Sequence, residues 1–250
     1  MREALDFVSS KEHTPLISLV FAYYENPSML QLQLKEIAAY PASVKQILEV
    51  VVVDDCSPTH PAADVKRPHN LPRYSIFRLD RDIPWNQDAA RNIGAYEARS
   101  PWLLLTDIDH LVPATTIENL IEMDRDASVF YTFSRVKFAR NDPQDSHPNS
   151  YFMAKDLYWE IGGHDEDFAG IYGKDYLFRR RALHRATEIR LDESPLARVG
   201  SVTVEDAGTR TISRKNSPWQ SVRGYLLEWL KALNLGWEIK TLSETYRRVL

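Results

Sequence analysis

Short apolar runs alternate with polar or proline-rich breaks along the first half of the chain. The apolar runs have the length of strands, and the segments between them show helical spacing or are rich in alanine. Pro27 stands where the first turn of a helix accepts a proline. These patterns predict four strands, at 16–22, 48–53, 74–79 and 102–106, and three helices, at 27–40, 87–99 and 114–123.

Alternating strands and helices are typical of an α/β fold with a mostly parallel central sheet flanked by helices. Ligands of such sheets bind beyond the carboxyl ends of the strands. Two of these ends carry pairs of acidic residues, Asp54 with Asp55 and Asp107 with Asp109. We therefore expect the functional site at this edge of the sheet.

The second half of the chain has a different pattern. It predicts strands at 128–138, 151–154 and 199–204, a loop rich in glycine and acidic residues at 162–173, and a helix at 175–186. We find no internal repeat and no low-complexity segment.

The C-terminal tail differs from the rest of the chain in charge. Residues 210–250 carry a net charge of +5 and the remainder carries −9, although the whole chain carries only −4. The polar stretch 209–218 is interpreted as a lid that contacts phosphate through Arg210, Arg214 and Lys215. From residue 219 onward a helix is predicted, and we expect its apolar side to pack on the protein's own domain. A basic amphipathic helix can instead make a peripheral membrane contact. The apolar side consists of Val222, Leu226, Trp229, Leu230 and Leu233.

The composition excludes several classes of protein. With 44% hydrophobic and 26% charged residues, the 250-residue chain is typical of globular proteins. A single cysteine, Cys56, excludes an internal disulfide framework and a cysteine-rich zinc site. The mild acidity argues against a nucleic-acid partner. No apolar run approaches the ~20 residues of a membrane span, and residues 1–14 lack an apolar signal core, so we expect a cytoplasmic location.

Asp107 and Asp109 form an Asp-x-Asp turn after a predicted buried strand. Side chains two positions apart project to the same side of an extended backbone. Two carboxylates there can share a divalent cation, because Mg²⁺ and Mn²⁺ prefer oxygen ligands. The alternative is a solvated loop that caps the helix after Pro113. His110 is either a further ligand or a loop residue that packs locally.

The other acidic pair follows the predicted strand at 48–53. A carboxylate at this strand end can accept a hydrogen bond from an imide N–H such as that of uracil. The alternative is a turn in which an aspartate closes the strand.

Five segments in a fixed order resemble a known family. They are residues 21–26, 51–57, 85–94, 106–109 and 162–175. The chain from about residue 16 to residue 190 thereby resembles glycosyltransferases of the GT-A fold, close to family 2. The segments 85–94 and 162–175 are also similar to the β-1,4-galactosyltransferase catalytic domain. The resemblance implies a GT-A catalytic domain over 1–208, with 1–14 as an extension, and a basic lid or linker with a helical appendage over 209–250.

The resemblance also implies roles for individual residues. Asp107 and Asp109 would hold a divalent cation, Mn²⁺ or Mg²⁺, and Asp175 would be the catalytic base. The acceptor would contact Tyr172, Gly173 and Asp165. A nucleotide-sugar would contact Ala22, Tyr24, Glu25, Asp54, Asn86, Arg91 and Asp107.

The implied activity is the metal-dependent, inverting transfer of a sugar from a nucleotide-diphospho sugar to a hydroxyl acceptor such as a glycan. A UDP-sugar is the expected donor. Polysaccharide biosynthesis is the corresponding process. Lys174 stands where the family has a glutamate, and no histidine follows His184 to assist the metal, although Glu205 or Asp206 offers a substitute. The alternatives are a nucleotidyltransferase that makes sugar nucleotides and a degenerate GT-A domain that only binds carbohydrate.

Overall fold

The computed structural model describes residues 14–138, 143–144, 147–233 and 238–250. The predicted N-terminal extension therefore lies, except for Thr14, outside the described residues. Within them, ten strands form a single sheet. The strands are β1 (Ile17–Tyr23), β2 (Leu48–Asp54), β3 (Arg73–Leu79), β4 (Trp102–Asp107), β5 (His110–Leu111), β6 (Val129–Lys137), β7 (Pro143–Gln144), β8 (Tyr151–Ala154), β9 (Thr187–Arg198) and β10 (Tyr246–Arg248).

Seven α-helices connect or flank these strands in the described part of the chain. They are α1 (Pro27–Ala38), α2 (Ala42–Ile47), α3 (Gln87–Glu97), α4 (Ala114–Glu122), α5 (Lys155–Glu160), α6 (Tyr176–Arg185) and α7 (Pro218–Ala232). Two 3₁₀ turns lie at Ala62–Asp64 and Glu166–Phe168. The predicted α/β architecture, a largely parallel central sheet flanked by helices with a helix in the tail, is confirmed.

The strand order is β10-β3-β2-β1-β4-β8-β6-β9-β5, with β7 pairing beside β6. Strands β3, β2, β1 and β4 run parallel, whereas β8 runs antiparallel to both β4 and β6. From β1 the chain proceeds outward to β2 and β3 and then returns to place β4 on the other side. This reversal leaves a crevice at the carboxyl ends of β1 and β4, which is the usual ligand site of an open α/β sheet.

Alternate residues of β1 point into two different cores. Leu19 and Phe21 pack in the core that contains the apolar face of α1, whereas Val20 packs against α3 on the opposite face. All seven residues of β2 are buried, since helices cover both faces of the sheet. These two cores hold the carboxyl ends of β1, β2 and β4 in fixed positions.

The structure corrects the predicted strand at 199–204. The late strand is β9, which ends at Arg198, and a series of turns follows it. Residues of β9 pair with β6, whereas Val202 is fully exposed and has no sheet neighbour to cover it. Val202 therefore gains no burial from strand formation. Among the described residues, no helix is both long enough and apolar enough to cross a bilayer.

Replacing Gly94 tests the packing of α3 on the sheet. A Cβ at this position would overlap Cγ1 of Val20, a β-branched side chain with little rotamer freedom. We expect Gly94→Ala to lower the free energy of unfolding by about 1–2 kcal/mol, because this overlap outweighs the gain in helix propensity. Urea unfolding measures the change. Gly200→Ala is the control, since nothing lies within 4 Å of its Cβ. Equal stability of Gly94→Ala and the wild type would contradict the packing described here.

Candidate functional site

A cavity of about 340 Å³ opens at the carboxyl ends of β1 and β4, where the strand order predicts a site. Residues from eight parts of the chain line it, including the turn after β4 and the segment 207–214. Its polar lining residues are Tyr23, Tyr24, Asn26, Asp55, Gln87, Asp107, Asp109, His147, Asn149, Tyr172, Asp175, Arg198, Thr209 and Arg214. The predicted site residues Ala22, Tyr24, Asp107, Asp109, Tyr172 and Asp175 are thus brought together.

Backbone contacts hold the Asp-x-Asp turn. Buried Gln33 donates from Nε2 to the carbonyl oxygens of Ile108 and His110, both at 2.8 Å. The carbonyl oxygen of Asp109 accepts from the Val199 N–H at 2.8 Å. Sequence reasoning missed Gln33, although a signal was present: it is a polar residue beside Leu34 within the apolar side of α1.

Arg91 links the Asp-x-Asp turn to Asp175. Its guanidinium is buried, donates from Nη2 to Asp107 Oδ1, and places Nη1 3.6 Å from Asp175 Oδ1. Gln87 also donates to Asp175 Oδ1. A single buried cation therefore sets the distance between the predicted metal ligand and the predicted base.

Arg91 also separates the acidities of these two carboxyl groups. Burial alone raises the pKa of Asp107, but Arg91, assisted by His147, outweighs it and holds the pKa below its usual value. The pKa of Asp175 is raised, mainly by burial. The positive charge of Arg91 lowers this pKa, whereas the negative charges of Asp88 and Asp107 raise it further. Asp107 is consequently suited to stay anionic and Asp175 to take up a proton.

Of the acidic pair after β2, the structure brings Asp55 and not Asp54 to the cavity. Asp54 accepts from the N–H groups of Ser57 and Ala62 at 2.7 and 2.8 Å and pairs with Arg78 at 2.9 Å. It closes the turn, as the alternative interpretation of this strand end anticipated. Both of its oxygens are therefore used within the chain.

One carboxylate oxygen of Asp55, the buried Oδ1, has no hydrogen-bond partner among the described residues. The other oxygen, Oδ2, accepts from the Asn86 N–H at 3.2 Å. Burial, reinforced by Asp82, Asp54 and Asp88, raises the pKa of Asp55 well above its usual value. A hydrogen-bond donor on a ligand would satisfy Oδ1 and favour its anionic form.

Three other predicted nucleotide contacts, Glu25, Asn86 and Arg91, lie outside the cavity lining. Glu25 accepts from the N–H groups of Thr59 and His60 and contacts His60 Nδ1 at 2.8 Å. Asn86 is fully buried, and its neighbours Trp85 and Gln87 line the cavity in its place. Arg91 lies below the lining and acts on the cavity through Asp107 and Asp175.

Tyr172 and Trp85 form one wall of the cavity, with their ring centroids 4.6 Å apart. Trp85 Nε1 donates to the Ser213 carbonyl at 2.7 Å, and the Tyr172 N–H donates to Asn216 Oδ1 at 2.8 Å. The segment interpreted as a lid is thus tied to this wall, and Arg214 lines the cavity.

The other two predicted acceptor contacts lie elsewhere. Gly173 has a φ of +80° and does not line the cavity. Asp165 pairs with Lys231 at 2.7 Å and lines a different cavity from Tyr172. Lys174, which replaces the family's glutamate, pairs with Glu228 at 2.9 Å and lies outside the cavity lining. Its positive charge is therefore paired with Glu228 and not with Asp175.

The residues at the Asp-x-Asp turn fit a cation that is held jointly with a ligand. Among the described residues, no three His, Cys, Asp or Glu side chains converge as a metal site. Asp107 and Asp109 nevertheless present two carboxylates to the cavity, and Mg²⁺ is typically held by one or two carboxylates together with phosphates and water. Carboxylate oxygens are the ligands that Mg²⁺ and Mn²⁺ prefer.

Two histidines lie beside Asp107 and Asp109. His110 Nδ1 lies 2.7 Å from Asp109 Oδ1, and His147 Nε2 lies 3.4 Å from Asp107 Oδ2. Burial lowers the pKa of His147 to about 4, although Asp107 opposes it, so the imidazole is neutral at neutral pH. Asp206 is engaged elsewhere, because its carboxylate accepts from the N–H groups of Ser28 and Met29 at the start of α1. Sequence reasoning missed His147, which lies far from the strand-end motifs.

The sequence matches the family model for glycosyl transferase family 2 over residues 18–184. The chain belongs to this family of glycosyltransferases, as its motifs predicted. No curated protein sequence matches it.

Solved structures share the fold at low sequence identity. S. aureus TarS 1–349 in complex with UDP-GlcNAc has a TM-score of 0.60 at 18% identity, over 78% of this chain and 62% of that one. Mannosyltransferase PcManGT from Pyrobaculum calidifontis, in complex with GDP-Man and Mn²⁺, has a TM-score of 0.58 at 17% identity. The match covers 90% of this chain and 66% of that one. GalNAc-T7 with UDP, GalNAc and Mn²⁺ has a TM-score of 0.55 at 13% identity, and the match covers 86% of this chain and 49% of that one. The predicted GT-A fold is confirmed, and the chain spans less than two thirds of the length of TarS 1–349.

Proposed function

We propose that the protein is a metal-dependent, inverting glycosyltransferase that transfers a sugar from a nucleotide-diphospho sugar to a hydroxyl acceptor such as a glycan. One observation carries this proposal: Asp107, Asp109 and Asp175 line one cavity, and buried Arg91 joins the first of them to the last. Bound nucleotides in the similar structures, and Mn²⁺ in two of them, support it.

Asp175 is the proposed catalytic base. Its raised pKa suits it to accept a proton from the acceptor hydroxyl as that oxygen attacks the anomeric carbon. Arg91 and Gln87 position the carboxylate. A single displacement assisted by one base inverts the configuration at the anomeric carbon.

The diphosphate is proposed to lie between the Asp-x-Asp turn and the segment 207–214. Asp107 and Asp109 would hold the divalent cation, which supplies positive charge against the leaving nucleoside diphosphate. Arg214, which also lines the cavity, would contact phosphate oxygens directly. Trp85 and Tyr172 offer aromatic faces to a sugar ring.

Asp55 replaces Asp54 in our proposal as the residue that contacts the nucleotide base. Its unpaired oxygen, Oδ1, can accept from a ring N–H of the base, such as the imide N–H of uracil in a UDP-sugar. The neighbouring Asp54 serves the turn after β2. The two acids therefore have separable effects.

Substitution of each acid by alanine distinguishes these roles. We expect Asp54→Ala to lower the free energy of unfolding by about 3 kcal/mol, because Arg78 and two N–H groups lose their partner. We expect Asp55→Ala to weaken UDP binding by about tenfold and to cost less stability, since its Oδ1 has no described partner to lose. Calorimetry with UDP and urea unfolding measure both quantities. Unchanged UDP affinity in Asp55→Ala would contradict this assignment.

A thermal-shift panel of UDP-, GDP- and dTDP-sugars with Mn²⁺ tests the proposed substrate class. We expect the melting temperature to rise with UDP-sugars, and to rise more with Mn²⁺ than with EDTA, because ligands of the native state stabilise it. The absence of a shift with every nucleotide-sugar, at concentrations where Mn²⁺ is in excess, would overturn the proposal.

The alternatives receive less support from the site. A sugar-nucleotide nucleotidyltransferase typically carries a glycine-rich, basic loop after the first strand, and residues 21–27 contain neither glycine nor a basic residue. The hypothesis of a degenerate carbohydrate-binding domain depended on Lys174. Lys174 pairs with Glu228 and lies outside the cavity lining, which weakens this argument.

A further inference from the structure

Helix α7 contacts the rest of the protein through its polar side. Lys231 pairs with Asp165 at 2.7 Å, Glu228 pairs with Lys174 at 2.9 Å, and Gln220 donates to the Gly170 carbonyl at 2.8 Å. Gly224 is the helix's one buried residue, where its missing side chain allows Lys174 and Ile171 to approach. The docking contacts of α7 are thus ionic and hydrogen-bonded, together with Leu227, which packs against the small apolar cluster of Phe168, Ile171 and Leu177.

The apolar side of α7 faces solvent, which corrects the expectation that it packs on the protein's own domain. Six large apolar residues of one helix side are between 45% and 74% exposed. We call them the α7 apolar face: Trp219, Val222, Tyr225, Leu226, Trp229 and Leu233. The sequence identified the side correctly as apolar, but the acids of the loop before α6 attract the opposite side through Lys231.

The exposed apolar surface continues on α6. Tyr176 and Leu183 are 43% and 50% exposed, and Arg180 lies between them on the same side of the helix. Tyr176 and Arg180 both contact Glu228 of α7, so the two helices lie side by side. Contiguous exposed apolar surface from two elements indicates a binding surface.

The charges around the α7 apolar face are positive. No acidic residue occurs between Asp206 and Glu228, and Glu228 is paired with Lys174 and Arg180. Exposed basic residues lie before, within and beside the helix: Lys215, Arg223 and Arg180, the last of which contacts Glu228 of α7. A surface of Trp, Tyr and Leu bordered by Arg and Lys complements an anionic lipid interface, where Trp and Tyr are enriched.

We propose that α7 lies flat on an anionic membrane surface and that its apolar face enters the boundary between headgroups and acyl chains. A symmetric contact between two copies would bring the same basic residues together and is disfavoured by their repulsion. Asn216, directly before α7, is hydrogen-bonded to Tyr172 of the cavity wall. Membrane contact would therefore hold the candidate site close to the lipid surface.

Vesicle flotation of the whole protein tests this proposal. We expect binding to vesicles of phosphatidylcholine mixed with phosphatidylglycerol, weaker binding to phosphatidylcholine alone, and release as the salt concentration rises. Leu226→Glu with Trp229→Glu should lower the partition to the mixed vesicles by at least about tenfold, because apolar burial is lost and like charge is added.

The matched control is Tyr96→Glu with Val202→Glu, which adds the same two negative charges at exposed apolar residues outside α7. Melting temperatures and UDP affinity should be equal in all variants, since the substituted side chains are exposed and outside the cavity. The proposal is overturned if the wild type binds neither kind of vesicle, or if the α7 variant binds as well as the control. A wild-type dimer that the α7 substitutions dissociate, without vesicle binding, would assign the face to a second copy instead.

Discussion

Asp175→Asn is expected to lower the rate of sugar transfer by about 10²- to 10⁴-fold, the usual contribution of a general base. The amide occupies the same space and can still contact Arg91 and Gln87 but cannot accept the proton of the acceptor hydroxyl. Affinity for the nucleotide-sugar should change little, because Asp175 is proposed to act on the acceptor. Steady-state kinetics and calorimetry with UDP separate these two quantities.

The pH dependence of the rate offers an internal check on Asp175. A base acts in its anionic form, so the rate should rise with pH through the pKa of this carboxyl group. Burial raises that pKa, which places the rise above the range of an ordinary aspartate. The residual activity of Asp175→Asn should lack the rise. Full transfer by Asp175→Asn would show that another group is the base.

Asp109→Ala is expected to lower transfer by at least about a thousandfold, because a metal ion contributes several kcal/mol of charge stabilisation in such reactions. The variant should also lose the extra thermal stabilisation that Mn²⁺ gives together with UDP. Asp109 lines the cavity, and its backbone is held by Val199, so the turn should keep its shape.

Asp192→Ala is the matched control for this substitution. It removes an exposed carboxylate whose ion pair with Arg190 lies on the surface, where such pairs contribute little. Mn²⁺-dependent activity should be unchanged in it. Asp109→Ala with wild-type Mn²⁺ dependence would exclude Asp109 as a metal ligand.

The fold could be predicted from local patterns because the central strands β1, β2 and β4 consist mainly of short apolar runs. Strands β1 to β4 and helices α1, α3 and α4 end within a few residues of their predicted limits. The short strands β5, β7 and β10 carry no such signal, since two or three residues show no periodicity. β10 pairs with β3 at the sheet edge, so the tail predicted as a separate appendage also contributes to the sheet.

The candidate site was predictable to the level of the strand end but not of the side chain. Asp54 and Asp55 are adjacent, and which of them faces the cavity depends on the turn that Ser57 and Ala62 close around Asp54. The roles of Gln33 and His147 depend on contacts between distant segments. Amphipathicity identified the apolar side of α7, but the ion pairs that decide its direction are nonlocal.

Turnover of a UDP-sugar by the wild-type protein with and without metal tests the central claim most directly. Release of UDP is measured with Mn²⁺, after addition of EDTA, and after Mn²⁺ is restored in excess. The proposed function predicts turnover with Mn²⁺, its loss in EDTA and its recovery. Turnover that EDTA leaves unchanged, or no turnover of any nucleotide-sugar in the presence of hydroxyl acceptors, would contradict it.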